Sequence, residues 1–163
     1  MKILISNELN SALCEQIGHE KYNSNLYLFM AAFLKNKGFN NIANHFEEQH
    51  EEEFKHSKMI YDILTDLNSP VYVPEIQEIN IQFNSIIDFA NAYLEREIAT
   101  TQSLEEIKKL AIEESNSVVE EFMRDMIHLQ RNEYAEATDF VDKAELTGGD
   151  WWKVSVWDVG LGD

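Results

Sequence analysis

Four long stretches of this chain carry apolar residues at helical spacing, and each apolar seam is broken by an acid or an imidazole at a similar depth. In the first stretch the seam reads Leu13, Ile17, Glu20, Ser24, Tyr27, Ala31 and Leu34; in the second it reads Ile42, Phe46, Gln49, Glu53, His56, Ile60, Ile63 and Leu67. The third reads Ile87, Ala90, Leu94, Glu97, Thr101, Leu104 and Ala111, and the fourth Val119, Phe122, Met126, Gln130, Glu133, Ala137, Phe140 and Ala144. Steps of three and four residues make one face of an α-helix. Glu20, Glu53 and His56 recur as Glu97, Gln130 and Glu133 at a constant offset, since 97−20, 130−53 and 133−56 all equal 77. Two helical hairpins would then offer matching ligand sets to one point, which is how four-helix bundles build carboxylate-bridged di-iron sites.

Stop and start signals bound the four segments. The spacing predicts helices over about residues 7–37, 39–67, 85–112 and 116–146. Ser6 or Asn7 serves as the first N-cap, and Lys35 and Lys37 precede the helix-ending Gly38. Asn68-Ser69-Pro70 stops the second helix, Ser85 to Asp88 resembles a capping box, and Ser115-Asn116-Ser117 caps the fourth. Each helix would span roughly 40 Å at 1.5 Å per residue. Short links make the first and second helices one antiparallel hairpin, and the third and fourth another. Val71 to Phe83, with Pro74 and no helical period, is long enough to run the length of the bundle as a crossover. The expected fold is all-α: an up-down four-helix bundle over residues 1–147 whose one long crossover resembles that of ferritin-like folds. A tail, residues 148–163, holds Trp151, Trp152 and Trp157, whose indoles should pack on the bundle or on a neighbouring subunit.

Thirty acidic against 13 basic residues give a formal charge of −17, which repels nucleic acid and anionic lipid and concentrates cations. Cys14 is the only cysteine, so neither an intrachain disulfide nor a cysteine metal cage can form. The apolar run opening the chain is too short for a signal peptide, and no later segment has the apolar length of a membrane span. A cytoplasmic protein is the expectation.

A Glu-x-x-His pair arises by chance in any acidic helix, and Glu47 with His50 is a second one here. Register separates the two: Glu53 and His56 share the seam with Phe46 and Ile60, whereas Glu47 and His50 fall off it and read as surface residues. Carboxylates facing a low-dielectric core each cost several kcal/mol unless neutralised, and the seams supply no Lys or Arg. Carboxylate and imidazole suit iron, manganese and zinc. A network of protonated carboxyls is the alternative.

Glu20 with Tyr27 seven residues on, Glu53-Phe54-Lys55-His56, Glu97, and Gln130-Arg131-Asn132-Glu133 together resemble the bacterial non-haem ferritins, over roughly residues 6–145. The resemblance implies an iron-storage ferroxidase that oxidises Fe(II) with dioxygen or hydrogen peroxide and stores the Fe(III) mineral in a cage. By that motif Glu20 and His56 would bind the first iron, Glu53 would bridge, and Glu97 with Glu133 would hold the second, giving about two Fe per subunit. Gln130 would lie beside the pair, and Tyr27 would hydrogen-bond a ligand or donate an electron. The helix-four order Gln-x-x-Glu favours the ferritin branch over rubrerythrins and haem-binding bacterioferritins. Phe54 stands where a haem-ligating methionine would follow Glu53, so no haem is expected. Glu52 matches one acid of the family's third iron site, but Leu129 and Asn132 replace the other two, so that site should be weak or lost. Asp125 replaces the family's tryptophan near the centre, and the tail departs from the short helix with which ferritins usually end.

A second apolar stripe on the first helix, Tyr22, Leu26, Phe29 and Phe33, asks for cover from a two-fold partner or from the long crossover. With the resemblance, the expectation is a homo-oligomer, a hollow shell of about 24 subunits built from dimers, with Glu120 and Glu121 as candidates for iron access. His19, His45 and His128 read as surface or packing residues. Two rivals stand beside storage: a non-storage di-metal oxidoreductase that reduces peroxide in the rubrerythrin manner, and a structural or cargo helical bundle whose seam carboxyls are protonated.

Overall fold

The chain is described by a computed structural model over residues 4–163; residues 1–3, which begin the N-terminal apolar run, lie outside the described part. Five helices follow one another with no strand among the described residues: α1 Asn7–Asn36, α2 Asn40–Asp66, α3 Ile86–Glu113, α4 Ser117–Leu146 and α5 Trp151–Leu161. None of them is long and apolar enough to cross a membrane.

Local chemistry accounts for the ends. Ser6, Ser85 and Asn116 each accept a hydrogen bond from the backbone N–H three residues on, at Leu9, Asp88 and Val119, which satisfies a donor that a helix start leaves free. α1 ends at Gly38, whose φ of +86° lets Phe39 N–H reach Leu34 O at 2.9 Å and Gly38 N–H reach Lys35 O at 2.9 Å. Asn68, with φ +53°, ends α2 by the same bonds to Thr65 and Leu64. α2 has no capping side chain of its own at Phe39. Asp158 of α5 supplies one, its Oδ1 accepting from Ile42 N–H at 2.8 Å.

α1 packs with α2 and α3 with α4, and α1 also lies against α3, so two antiparallel hairpins close a four-helix bundle. The non-helical crossover runs along α1. Asn10 Nδ2 donates to Pro70 O at 2.7 Å, Tyr72 Oη donates to Glu15 at 3.0 Å, and Phe83 packs on Phe33 at a ring separation of 5.2 Å. Gly18 permits this approach, because a Cβ there would sit 2.9 Å from Pro74 Cγ. The crossover thus covers part of the second apolar stripe of α1, burying Leu26 and half-burying Phe29 and Phe33, while Leu28, Tyr72, Val73 and Ile81 stay exposed.

The tail corrects the expected departure: it is a helix. Asp150 caps α5 by accepting from Trp152 N–H at 2.9 Å. Trp151 stacks on Phe39 at 5.8 Å and Trp157 packs on Phe140 at 5.0 Å, so two of the three indoles lie on the bundle. Trp152 stays 71% exposed, so it is the one indole without cover in this chain.

All seven residues of the α1 seam are buried. In α2, Leu64 is buried and Ile63 only half so; in α3 the buried line includes Phe89, Tyr93 and Thr100, while Ile87, Leu94 and Thr101 are half-buried. The shift in α3 follows ring packing. Phe46 of α2 meets Phe89 at 4.9 Å, Tyr93 at 5.0 Å and Phe140 at 5.2 Å, all nearly edge-to-face, so the large rings of α3 turn inward. Phe46→Ala would leave a cavity at the centre of this cluster and is expected to cost about 3–5 kcal/mol, measured by urea unfolding of wild-type and variant; a loss under about 1 kcal/mol would show that the cluster does not carry the core.

This aromatic cluster fills one end of the bundle. Leu9, Leu13, Ile17, Ile60, Leu64, Leu104, Val119, Met123 and Met126 fill the other. Between them lies a buried polar layer.

Candidate metal centre

A short stretch of each of the four long helices contributes to the polar layer. α1 supplies Gln16, Glu20 and Asn23; α2 supplies Glu53 and His56; α3 supplies Glu97 and Thr100; α4 supplies Gln130 and Glu133. Glu20, Glu53 and Glu97 are fully buried, and Glu133 and His56 nearly so. Helical spacing explains the grouping, because Glu53 and His56, three apart, project from one face of α2, as do Gln130 and Glu133 from α4.

The geometry resolves into two triads that share one residue. Glu20, Glu53 and His56 each offer a ligand atom, all within 4.8 Å of one another, and so do Glu53, Glu97 and Glu133. These are the only such groups among the described residues. His56 links the triads: its Nδ1 is 3.4 Å from Glu53 Oε2 and its Nε2 is 3.7 Å from Glu133 Oε1.

Outer groups hold some carboxylate oxygens in place. Gln16 Nε2 donates to Glu20 Oε1 at 2.9 Å, and Ser103 Oγ, by donating to Gln16 Oε1, turns the amide nitrogen toward the acid. Tyr27 donates to Glu97 Oε1, and Gln130 Nε2 donates to Glu97 Oε2 at 2.6 Å. Glu20 Oε2, Glu53 Oε1 and Glu133 Oε2 are buried and have no hydrogen-bond partner among the described residues. No Lys or Arg ion pair among the described residues involves any of the four acids. The nearby Arg96 is engaged elsewhere, donating from Nε to Asn23 Oδ1 and placing Nη2 by His19 Nε2, both at 2.9 Å.

Electrostatics follow from this crowding. Burial, then the Glu20 carboxylate, pushes Glu53 well above the usual carboxyl range. Burial and then Glu97 push Glu133 up to about 9. Glu97 is raised by burial, which outweighs its bonds from Tyr27 and Gln130. Burial followed by Glu97 keeps Tyr27 protonated, and so a donor. A cluster that resists ionisation alone is one that a multivalent cation would ionise, since the cation supplies the missing opposite charge. Orphaned oxygens, the lack of a Lys or Arg ion pair to the acids among the described residues and a mixed carboxylate–imidazole donor set all fit a pair of divalent or trivalent ions.

Every residue of the expected two-metal set therefore meets in this layer, together with Tyr27 and Gln130. Of the third-site residues, Glu52 is half-buried and paired with Lys55 at 2.9 Å, while Leu129 and Asn132 are exposed. Asp125 and His128 are exposed as well. Glu47 is half-buried and pairs with Lys35, and His50, also half-buried, bonds through Nδ1 to Ser24 Oγ at 2.8 Å, so it ties α2 to α1 rather than standing free on the surface. His19 is half-buried, 2.9 Å from Thr100 Oγ1, and pushed down to about 4 by burial and then Arg96. Gln16, Asn23, Thr100 and Arg96 are absent from the sequence reading. Gln16 carried a usable signal, since it lies one turn before Glu20 on the same face.

Comparison with known proteins agrees with this geometry. The chain matches the family described as ferritin-like domain over residues 10–147. A bacterial non-heme ferritin from Staphylococcus epidermidis is 27% identical over 147 residues, covering 90% of this chain and 89% of that protein. One from Bacteroides fragilis is 26% identical over 145 residues, covering 89% and 91%. Among solved structures, an open pore ferritin from the hyperthermophilic archaeon Archaeoglobus fulgidus is similar with a TM-score of 0.91 at 27% identity, covering 96% of this chain and 97% of that one. With the ferritin-like match spanning all four long helices and the acid layer within them, this chain belongs to the ferritin family.

Proposed function

We propose that this protein is an iron-storage ferritin with ferroxidase activity. The observation that carries the reading is the shared triad geometry: two ligand groups joined at Glu53, with three orphaned carboxylate oxygens and no Lys or Arg ion pair to the four acids among the described residues. Fe(II) is the substrate. Two Fe(II) give one electron each to dioxygen, which takes up two protons and leaves as hydrogen peroxide; peroxide can oxidise two further Fe(II), leaving water.

Glu20 and His56 would hold one ion, Glu97 and Glu133 the other, and Glu53 would bridge. Gln16 fixes one oxygen of Glu20 by hydrogen bonding, while Tyr27 and Gln130 orient Glu97. The unpartnered oxygens of Glu20, Glu53 and Glu133 are free to turn toward the ions as their charge rises from two to three. Apolar clusters on both sides of the layer keep bulk water from the reacting ions.

Storage requires a cavity, which one bundle cannot enclose. Subunits would assemble as dimers into a shell of about 24, in the cytoplasm, whose reducing poise supplies ferrous iron. An anaerobic Fe(II) titration followed by air, with mass measured by light scattering, tests this. The expected result is about two tightly held Fe(II) per chain, optical change on aeration, and a large oligomer retaining many more irons. A compact dimer that retains only the first two would end the storage reading while leaving the oxidase; failure to bind Fe(II) would end both.

A further inference from the structure

Beside the acid layer sits a tyrosine–histidine pair that the proposed oxidation does not use. Tyr93 is fully buried, with its Oη 3.2 Å from His45 Nε2. Its ring meets Tyr27 edge-on at a centroid separation of 5.3 Å, and Tyr27 donates to Glu97. On the other side His45 stacks with Phe140 at 6.4 Å, and Phe140 packs on Trp157 of α5 at 5.0 Å. His45 and Trp157 both line a cavity of about 230 Å³, whose wall also carries Glu136, Asp139 and Lys143. Aromatic rings in contact thus lead from a carboxylate of the metal centre to solvent.

We propose that Tyr93 is a one-electron donor to the iron centre, passing its phenolic proton to His45 as it is oxidised. The inference rests on the ferroxidase reading for its oxidant. When a single Fe(II) meets hydrogen peroxide, breaking the O–O bond takes two electrons and the iron supplies one; otherwise a hydroxyl radical is released. Tyr93 supplies the second electron through Tyr27. Two protons from solvent complete two water molecules, and the remaining products are Fe(III), a neutral tyrosyl radical and an imidazolium.

Proton acceptance separates the two tyrosines. An oxidised phenol is a strong acid and has to shed its proton. Among the described residues the only hydroxyl partner of Tyr27 is Glu97, which the proposed site commits to iron. Tyr93 instead faces an imidazole that burial and then Lys143 hold below the usual histidine range, so it is neutral at pH 7. With its proton on Nδ1, that ring accepts at Nε2, and it borders the cavity through which the proton can leave. Packing fixes the geometry, since Tyr93 is wedged between Phe46 at 5.0 Å and Phe140 at 5.8 Å.

The test is freeze-quench EPR on protein holding Fe(II) below the chain concentration and mixed with hydrogen peroxide. Tyr93→Phe keeps the ring and removes only the hydroxyl, His45→Phe removes the proton acceptor, and Tyr134→Phe alters an exposed tyrosine. A tyrosyl signal is expected in wild-type and Tyr134→Phe, and its loss in Tyr93→Phe and His45→Phe. A signal that persists in Tyr93→Phe, or no tyrosyl signal in wild-type that does oxidise Fe(II), overturns the proposal. Should wild-type fail to oxidise Fe(II) at all, the ferroxidase reading falls, and the relay is judged on metal-free protein by pulse radiolysis with azide radicals. There, conversion of tryptophan to tyrosyl radical within the chain in wild-type, absent in Tyr93→Phe, supports the relay; equal conversion in both overturns it.

Discussion

Glu53→Gln is expected to slow Fe(II) oxidation by about a hundredfold or more, and at the same time to make the metal-free protein more resistant to heat. Both effects come from one carboxylate. Glu53 is the only residue common to the two ligand triads, so in the proposed site an amide in its place would remove a charge offered to both ions at once. Losing a ligand to one ion would leave the other held; losing Glu53 would weaken the hold on both. Without metal the same carboxylate is a liability, buried among Glu20, Glu97 and Glu133 with one oxygen unpartnered. Gln has nearly the same volume, cannot carry the charge, and brings an N–H₂ that can donate to a neighbouring acid. Stopped-flow absorbance of Fe(III) formation and calorimetry of metal-free protein check the two halves. Unchanged oxidation would remove Glu53 from the site, and a lower melting temperature would show that the acid cluster is not repulsive in the empty fold.

Opposite expected signs for function and stability are what separate a binding site from a core, and they explain why this candidate site stands out in the sequence. Glu20, Glu53, Glu97 and Glu133 break apolar seams where a stabilising choice would be Leu or Ile, so their cost shows in the pattern itself. Helix spacing then does the rest, and the four acids do share one layer. Residues that support the site leave a weaker trace. Asn23 and Thr100 are small polar groups on the flanks of their seams, and only the meeting of α1 with α3 makes them partners of Arg96 and His19; Gln16, which bonds Glu20 within α1, is the more legible of the three. Asp158 is less legible still, because it caps α2 through Ile42, 116 residues earlier in the chain, and no local pattern records the absence of a cap at Phe39. Tyr93 was hidden for a related reason: either flank of α3 could have faced inward, and the choice depended on the shape of Phe46.

Metal-free protein is expected to lose stability as pH rises from about 5.5 to about 8.5, and metal-loaded protein to gain it. In the unfolded chain a glutamate releases its proton near pH 4.3, whereas burial and then Glu97 hold Glu133 up at about 9, with Glu53 and Glu97 raised by the same burial. Between those limits the folded protein keeps protons that the unfolded chain has already given up. Raising the pH therefore favours unfolding: the stabilisation is complete below the unfolded value and is lost as pH climbs through the folded one. Each proton so held costs about 1 kcal/mol per pH unit across the window, shared by the cluster rather than owned by one residue. The −17 formal charge adds self-repulsion in the same direction, so the slope has to be assigned by difference. Glu133→Gln should flatten it. Zn(II), which binds such donors without redox chemistry, should invert it, because binding requires the carboxylates to ionise and tightens as protons leave. Urea unfolding at the two pH values, with and without Zn(II), measures all of this. If Glu133→Gln keeps the slope of wild-type, or if Zn(II) stabilises equally at both values, the protons are held elsewhere and the acid layer is not where the cation binds.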